Sequence, residues 1–247
     1  MKYLLLGLIQ GLTEFLPVSS SGHLVVFENL FKVRFPGITF EVFLHLATLI
    51  AVVIYLWRDI VEIFDFKKYS LRDQPLVLIA VGTIPAGLVG FLGGDLFERL
   101  FESIRWVRYF FVINGFILLS TRWAKGTREN ITIRDAILIG IAQSFAILPG
   151  ISRSGATITA GLLLGIQPSK AFSFSFLLSI VAISGAAVLK AKELSGVALS
   201  YGYMAGFLAA LVSGLLAIMV LKKVVLVRKL HYFAYYTLLL GVLLFFI

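Results

Sequence analysis

A few ionisable side chains stand in stretches of the chain that are otherwise apolar. They are Glu14, His23, His45 and Arg153. A charged residue inside a bilayer costs at least about 2.5–3.5 kcal/mol, so each of these residues is a functional candidate. An arginine binds phosphate oxygens in a bidentate way, and carboxylates and imidazoles transfer protons. These residue types therefore indicate chemistry on a phosphate group. Hydroxyl groups surround them at Thr13, Ser19, Ser20, Ser21, Ser152, Ser154 and Thr157.

Two short runs that combine proline, serine and glycine hold most of these candidates. The first reads FLPVSSSGH over residues 15–23, and the second reads LPGISRSGAT over residues 148–157. Proline and glycine interrupt helices, and we expect Ser21 and Ser154 to be the N-caps of the helices that follow. Two helix N-termini with unpaired N–H groups, together with Arg153, then predict an anion site suited to phosphate. Glycine allows the backbone to approach such a ligand closely, at Gly22, Gly150 and Gly155.

Each candidate also has a structural interpretation. Arg153 and Glu14 are compatible with a buried ion pair that has no part in catalysis. His23 alone is equally compatible with a hydrogen-bonded interior histidine, whereas its place beside Arg153 and the serines favours a functional role. For His45 a structural or supporting role is favoured, and His231 is expected to be solvated in a basic loop. The prediction of a site depends on the whole set of residues.

The composition defines the class of protein that positions these residues. The chain has 247 residues, of which 60% are hydrophobic and 14% charged, and its mean hydropathy is +0.99. Soluble domains carry about 25% charged residues. A soluble enzyme, a disordered chain and a nucleic-acid-binding module are therefore excluded, despite the net charge of +9. The absence of cysteine excludes a disulfide scaffold and a thiolate metal site.

The apolar segments predict an all-α polytopic membrane protein that forms a single integral membrane domain over residues 1–247. About 20 apolar residues are needed to cross a bilayer, and six segments meet this length. Two further stretches, 3–31 and 133–166, are interrupted in the middle by the two polar runs, so each arm is too short to span. We predict two re-entrant helical hairpins whose tips lie inside the protein. The six predicted spans are 40–57, 75–93, 105–123, 171–189, 201–221 and 232–247.

The two hairpins resemble each other at an offset of 133 positions. Each is followed by three predicted spans, which divides the chain into repeats over about 1–123 and 133–247. Because three is an odd number, the second repeat must be inverted relative to the first. Inverted repeats with broken helices are typical of membrane transporters, with the site where the repeats meet. The matching pairs are Gly7 and Gly140, Gln10 and Gln143, Ser19 and Ser152, Ser21 and Ser154, and Gly22 and Gly155.

The distribution of Lys and Arg predicts the orientation, because these residues favour the cytoplasmic side. More of them fall on one side of the predicted spans, which places both termini outside the cell. The more basic side carries Arg58, Lys67, Lys68, Arg72, Arg122, Lys125, Arg128, Arg134, Lys170, Lys222, Lys223, Arg228 and Lys229. The other side carries Lys2, Lys32, Arg34, Arg99, Arg105, Arg108, Lys190 and Lys192.

The two polar runs carry a family resemblance that covers essentially the whole chain. Residues 10–23, QGLTEFLPVSSSGH, resemble the first signature of the undecaprenyl-diphosphate phosphatases, the bacitracin-resistance protein family. Residues 149–157, PGISRSGAT, are similar to the second signature. Residues 40–59 are similar to the first full span of the family. Both signatures are long, which makes this resemblance specific.

The resemblance implies a reaction and a set of site residues. Members of the family remove the terminal phosphate of a C-55 polyprenyl diphosphate, which returns the monophosphate carrier to cell-wall synthesis. The reaction is expected at the outer face of the cell membrane and requires a divalent cation. Matched position by position, the catalytic residues are Glu14, Ser20 as nucleophile candidate, His23 and Arg153. The residues expected to hold phosphate are Ser19, Ser21, Gly22, Ser152, Arg153, Ser154 and Thr157.

One departure from the family pattern concerns the cation. The first signature opens with Glu or Gln in the family, and here it opens with Gln10. Two carboxylates four residues apart would face the same way and could hold a hard cation, but Gln10 leaves only Glu14. We therefore expect Mg²⁺ or Ca²⁺ to be bound by Glu14 and the Gln10 carbonyl, and to arrive partly with the diphosphate itself.

Two mechanisms and a second function stay open. Either Ser20 attacks with His23 as its base, or His23 activates water directly. The inverted repeat equally suits a transporter, or flippase, that moves polyprenyl phosphate across the bilayer with the same site. The expected partners are a polyprenyl diphosphate lipid and the bilayer, without nucleic acid. The sequence leaves the oligomeric state open, a homo-oligomer included.

Overall fold

The fold is known from a computed structural model that describes residues 1–31, 38–64, 74–94, 97, 100, 103–189 and 200–246. Within these residues all the regular elements are helices, and there is one isolated bridge between Arg128 and Ile166 and no strand. A short 3-10 helix covers Thr121–Trp123. The described α-helices are α1 (Lys2–Phe15), α2 (Ser20–Phe31), α3 (Ile38–Tyr55), α4 (Trp57–Ile63), α5 (Pro75–Leu92), α6 (Ile104–Ser120), α7 (Ile133–Phe145), α8 (Arg153–Leu163), α9 (Pro168–Leu189), α10 (Tyr201–Leu226) and α11 (Tyr232–Leu243).

The predicted breaks near the two prolines are present. Helix α1 ends at Phe15, and the residue before Pro17, Leu16, is extended with ψ 146°, as expected before proline. Helix α7 ends at Phe145, shortly before Pro149. At about 1.5 Å per residue, the 14 residues of α1 and the 13 of α7 reach less than the roughly 30 Å of a hydrocarbon core. Each of these helices is therefore too short to cross a bilayer by itself.

Three helices within the described residues are long and apolar enough to cross a membrane. They are α5, α9 over Pro168–Val188, and α10. A fourth is present if α3 and α4, which are bent by 73° relative to each other, count as one span. The chain is thus a multi-pass helical membrane protein, whereas the predicted count of six is not established. Helices α6 and α11 are shorter, at 17 and 12 residues.

Two predicted spans differ from the helices that form. The segment 40–57 does not end as one straight helix, because the chain turns at Leu56 and continues as α4. The turn keeps Arg58 and Asp59 apart from the apolar helix α3, inside which their burial would be costly. Helix α10 continues past the predicted end at 221 and ends at Leu226. A lysine is tolerated in this last part because the ammonium group of Lys222 lies over the Tyr55 ring, 5.3 Å from its centre, while a lysine stem can pack along apolar surface.

Small residues bring the helices close together in two equivalent places. Helix α1 packs on α10, where Gly7 contacts the backbone of Gly206. Helix α7 packs on α5, where Gly140 contacts the backbone carbonyl of Gly82. Helix α3 packs on both α9 and α10, and α6 packs on α11. Such close contacts require residues without bulky side chains, and helices in membranes commonly associate through small residues of this kind.

Several positive residues used for the predicted orientation lie outside the described residues. They are Lys32, Arg34, Lys67, Lys68, Arg72, Arg99, Lys190 and Lys192. Of the others, Arg128 forms a bidentate ion pair with Asp135 at the start of α7, with N–O distances of 2.7 and 2.9 Å. This pair and the capping box formed by Thr132 and Asp135 fix the point at which α7 begins.

Candidate active site

The turns between α1 and α2 and between α7 and α8 meet inside the protein. We name them the first tip (residues 16–19) and the second tip (residues 146–152). A Cβ atom at Gly22, in the first turn of α2, would lie 2.8 Å from the Cα atom of Gly150 in the second tip. Gly150 has φ +112°, which residues with side chains rarely adopt. The two backbones thus touch at two glycines.

The N-caps of α2 and α8 are Ser19 and Ser152, two residues before the predicted Ser21 and Ser154. The Ser19 hydroxyl accepts a hydrogen bond from the Gly22 N–H at 3.3 Å. The Ser152 hydroxyl accepts one from the Gly155 N–H at 3.2 Å. Both serines are N-caps because each hydroxyl can reach the N–H three residues on while its own backbone is still non-helical. The prediction of Ser21 and Ser154 as caps was wrong by half a turn.

Hydroxyl groups near the tips hold the two turns together. The Ser19 hydroxyl accepts from the Gly150 N–H at 3.1 Å, and the Ser154 hydroxyl donates to the Phe15 carbonyl at 2.7 Å. The Ser21 hydroxyl lies 3.3 Å from that of Ser19. The residues predicted to bind phosphate therefore also link the two halves of the chain.

Asn114 of α6 connects the backbones of both tips with one side chain. Its amide nitrogen donates to the Pro17 carbonyl at 3.0 Å, and its amide oxygen accepts from the Ser152 N–H at 2.9 Å. The side chain is fully buried. Because a buried amide is stable only when both ends are paired, Asn114 fixes the relative position of the tips. Asn114 was not predicted, because it is not ionisable and stands in neither polar run, although a polar residue in an apolar helix is itself a signal.

Glu14 is the centre of the polar contacts and brings together three of the predicted site residues. Its Oε1 atom accepts from Arg153 at 2.9 Å, and its Oε2 atom accepts from the Ser20 hydroxyl at 2.7 Å. The Gln10 amide also donates to Oε2, at 3.1 Å. The side chains of Glu14 and Arg153 are only 8% and 16% exposed. The buried ion pair is thus present, and it lies directly beside the nucleophile candidate.

His23 makes its hydrogen bonds to groups other than Ser20 and Glu14. Its Nδ1 atom lies 2.7 Å from the Ser19 carbonyl, and its Nε2 atom lies 2.6 Å from the hydroxyl of Tyr236 on α11. A carbonyl only accepts, so the proton is on Nδ1, and Nε2 accepts from Tyr236. The two rings are stacked, with an angle of 5° between their planes. Tyr236 was not predicted, because nothing in its local sequence distinguishes it from the neighbouring tyrosines.

Thr157 lies on α8, one turn after Arg153. Its hydroxyl donates to the Arg153 carbonyl at 2.8 Å and lies 2.6 Å from the hydroxyl of Ser175 on α9. Ser175 and Ser179 line a narrow crevice next to Arg153. These two serines were not predicted either, because they stand in a predicted span without a breaking residue.

A cavity of about 200 Å³ lies against the ion pair, between α3 and α9. Its polar wall consists of Glu14, Arg153, Glu41 and His45, of which Glu41 was not predicted. The remaining wall is apolar and is formed by Val42, Ala182, Ile183 and Ala186. One terminal nitrogen of Arg153, Nη1, is buried without a hydrogen-bond partner among the described residues. An unpaired guanidinium nitrogen next to a cavity can bind an anionic group.

The donors around Glu14 do not form a preformed metal cage. Among the described residues there is no group of three or more His, Cys, Asp or Glu side chains that could hold a metal ion. Both Glu14 oxygens are occupied by Arg153, Ser20 and Gln10, while the buried Gln10 carbonyl oxygen has no partner within the part of the chain that the structure describes. Hard cations take six or more oxygen ligands, and the side chains present supply far fewer.

Comparison with known proteins gives consistent similarities over almost the whole chain. The family model described as bacitracin resistance protein BacA matches residues 3–243. A protein of Thermosipho africanus named undecaprenyl-diphosphatase is 42% identical, with 100% of both chains covered. Proteins with the same name from Methanococcus vannielii and Carboxydothermus hydrogenoformans are 43% and 44% identical, over 96% and 97% of this chain and 95% and 94% of theirs.

Proposed function

Because this chain belongs to the BacA family of bacitracin resistance proteins, we propose that it hydrolyses undecaprenyl diphosphate to the monophosphate and inorganic phosphate. This reaction recycles the lipid carrier for cell-wall synthesis, and it fits the bacitracin resistance in the family name. The observation that carries the proposal is the contact of Glu14 with both Ser20 and Arg153 next to a cavity. The relatives, named as phosphatases, do not support the transporter alternative.

The proposed nucleophile is Ser20, with Glu14 as its base. The hydrogen bond of 2.7 Å places the Ser20 proton on the line to the Glu14 carboxylate. As Ser20 Oγ bonds to the terminal phosphorus, its proton passes to Glu14 Oε2 and the bond to the bridging oxygen breaks. The lipid monophosphate is the leaving group. Water then hydrolyses the phosphoserine, and the proton returns to Ser20.

His23 is proposed to position the first tip. Both of its ring nitrogens are engaged, one as donor to Ser19 and one as acceptor from Tyr236. An imidazole in this state has neither a free lone pair for Ser20 nor a free N–H for the substrate. By fixing the Ser19 carbonyl, it fixes the backbone that begins α2 and presents Ser20.

Arg153 is proposed to hold the terminal phosphate. Its Nη2 atom is held by Glu14, and its Nη1 atom, which no described residue pairs, is proposed to bind a phosphate oxygen. A guanidinium group in a buried site stabilises charge that develops on the transferred phosphoryl group. We propose that the hydroxyls of Ser19, Ser21, Ser152, Ser154 and Thr157 and the Gly22 backbone complete the anion site with the first turns of α2 and α8.

The divalent cation stays a prediction, and no step above depends on it. Since the side chains present do not form a cage, we propose that Mg²⁺ or Ca²⁺ is bound mainly by the diphosphate, with Glu14 and the Gln10 carbonyl nearby. EDTA is then expected to stop phosphate release, and excess Mg²⁺ or Ca²⁺ to restore it. Full activity of metal-free enzyme with metal-free substrate would contradict this prediction.

We further propose the inverted repeat with two re-entrant hairpins and six spans, counting α6 and α11. Support comes from the packing, since α1 packs on α10 as α7 packs on α5, while α3 contacts α9 and α6 contacts α11. If each helix of the first repeat is replaced by its equivalent in the second, and the reverse, the same set of helix contacts results. Both termini and the opening of the site are proposed to face the outside of the cell.

Phosphate release from farnesyl diphosphate by purified protein in detergent tests the function. Glu14→Ala and Arg153→Ala are each expected to lower the rate by at least about a thousandfold, because each removes a group that stabilises the transition state. The matched controls are the variants Glu129→Ala and Arg122→Ala, which change exposed residues and should retain full activity. A folded Glu14→Ala or Arg153→Ala protein with most of its activity would refute the site.

Two labelling experiments test the arrangement in the membrane. The natural chain has no cysteine, so single cysteines can be introduced at Asn130, in the loop before α7, and at Tyr201, which starts α10. An impermeant maleimide should label position 201 from outside intact cells and position 130 only after permeabilisation. Labelling of both from the same side would refute the inverted repeat.

A further inference from the structure

The side chain of Gln10 contacts both Glu14 and His45. Its amide nitrogen lies 3.1 Å from Glu14 Oε2 and 3.2 Å from His45 Nδ1. The side chain is fully buried, and an amide nitrogen carries two hydrogens, one for each acceptor. The carboxylate can only accept, so these partners fix which end of the amide is the nitrogen. Gln10 is thus held as a double donor.

This arrangement determines the state of His45. Because Gln10 donates to Nδ1, the imidazole proton is on Nε2, which faces Glu41 Oε1 at 3.7 Å. Glu41 lies on the cavity wall, and its side chain is 37% exposed. A row of polar groups therefore leads from the cavity through Glu41, His45 and Gln10 to Glu14. The part of α9 that faces the cavity contributes only apolar side chains.

The second half of the chain contains the same glutamine without these partners. Gln143 occupies the position equivalent to Gln10, at the offset of 133. At this offset Glu14 corresponds to Ile147 and His45 to Leu178. Both polar atoms of the Gln143 amide are buried and have no hydrogen-bond partner among the described residues. The glutamine itself is therefore common to both repeats, and the acceptors on both sides of it are specific to the first.

We propose that His45 is a positioning residue for the reaction and acts through Gln10 on Glu14. His45 Nδ1 itself lies 3.7 Å from Glu14 Oε2, which is beyond hydrogen-bond distance, so the hydrogen-bonded path between the two residues runs through Gln10. The imidazole takes up one amide hydrogen, which directs the other to Glu14 Oε2, the oxygen that also accepts from Ser20. Without an acceptor at position 45, a buried amide hydrogen is left unpaired and the amide turns away from this orientation. The proposal rests on the role of Glu14 in the proposed function.

Leucine and glutamine at position 45 separate positioning from other roles. His45→Leu removes the acceptor and is expected to lower kcat on the order of tenfold with KM for farnesyl diphosphate nearly unchanged, because the base is displaced while the substrate contacts remain. His45→Gln supplies an amide oxygen as acceptor and should stay within about twofold of the natural protein. If His45→Gln is as impaired as His45→Leu, the ring itself is needed and the proposal is overturned.

A double-mutant cycle tests the path through Gln10. Gln10→Leu should lower kcat at least as much as His45→Leu, and the double variant should be no worse than Gln10→Leu alone, because both changes break one chain of contacts. Independent, multiplying effects would overturn the proposal, as would full activity of His45→Leu. The matched control is Gln143→Leu, which removes the equivalent amide and should retain full kcat.

Two measurements distinguish a failed inference from other failures. Thermal unfolding in detergent identifies variants that do not fold. If His45→Leu does not fold, His45→Asn takes its place, because its amide is one methylene shorter than that of His45→Gln. The kcat of His45→Gln is then compared with that of His45→Asn, without an apolar substitution. If the natural protein releases no phosphate or Arg153→Ala stays active, the proposed function fails. If both behave as expected and His45→Leu has the natural kcat, only the role of His45 fails.

Discussion

At the first tip Ser19 caps α2, and at the second tip Ser152 caps α8 in the same way. The bonds to the third residue after each serine measure 3.3 and 3.2 Å. The hydroxyls two residues after each cap, of Ser21 and Ser154, lie 3.3 and 3.1 Å from the hydroxyls of their caps. Residues shared at the offset of 133 thus make the same local contacts in both halves.

The tips differ at the positions that carry the proposed chemistry. At the same offset, Ser20 corresponds to Arg153, Glu14 to Ile147, and His23 to Ala156. Each half of the chain alone therefore holds an incomplete set, with Glu14 and Ser20 on either side of the first tip and Arg153 directly after the second. The residues that the two halves share therefore form two similar turns. The proposed site forms only where the residues that differ between the halves, Glu14, Ser20 and Arg153, meet.

A large effect is expected at Ser20, which is unlike its equivalent Arg153 in the second half. Ser20→Ala removes the proposed nucleophile and should lower phosphate release by at least about a hundredfold. With labelled farnesyl diphosphate and acid quenching, the natural protein should yield phosphoserine at position 20. The control is Ser144→Ala, which should behave as the natural protein does, because among the described residues the hydroxyl of this α7 serine bonds only to the Gly140 carbonyl of its own helix.

Substantial activity of Ser20→Ala would assign the attack to water. Glu14 and Arg153 would then be the residues that carry the reaction, and the role of Ser20 would be reduced to orienting the Glu14 carboxylate.

A large effect is also expected where the tips touch. Gly22→Ala would place a methyl group 2.8 Å from Gly150 Cα and 2.7 Å from the ring of Phe111, so the tips must separate. A displacement of about 1 Å at a reacting group costs on the order of a hundredfold in rate. Phosphate release by Gly22→Ala should fall at least tenfold. Gly87→Ala on α5 should be fully active, because outside its own helix no atom of a described residue lies within 4 Å of the added methyl.

A wild-type rate for Gly22→Ala would show that Ser20 and Arg153 do not need the observed distance between the tips. The comparison of the two halves would then apply to folding alone.

A moderate effect on stability is expected from the residue that joins the tips. Asn114→Leu leaves the Pro17 carbonyl and the Ser152 N–H buried without partners, at a cost of about 1–3 kcal/mol for each group. The melting temperature should fall by several degrees, since about 2–4 °C corresponds to 1 kcal/mol in a chain of this size. Differential scanning fluorimetry in detergent measures it, and Asn130→Leu in the exposed loop is the control.

The smallest effect, and one of opposite sign, is expected at a shared position. Gln143→Leu removes a buried amide that has no partner among the described residues, which should raise the melting temperature by one to a few degrees, roughly the value of one unpaired polar group. Gln10→Leu should not stabilise, because the Gln10 amide nitrogen is paired with both Glu14 and His45. Equal shifts for both glutamines would remove the distinction between the two halves.

Much of the fold could be predicted from local sequence. Pro17 and Pro149 end helices wherever they stand, so the two breaks followed from the chain alone, and long apolar runs predicted α5, α9 and α10. Cap positions were predicted less well, because Ser19, Ser20 and Ser21 all have capping side chains, and only the backbone of Ser19, with φ 68°, decides among them. The bend at Leu56 had no signal beyond the charges that follow it.

The sequence alone was enough to predict that the chain enters a membrane and at which residues its helices break. It also showed that Glu14, Ser20 and Arg153 lie near those breaks. Only the tertiary structure decided which groups meet. Ser20 contacts Glu14, whereas His23 contacts Tyr236, more than 200 positions away in the chain. The periodicity of a helix fixes the neighbours within one turn, but partners on different helices depend on how close the helices pack. That distance is set here by glycines such as Gly7 and Gly22, whose contacts no local pattern reveals.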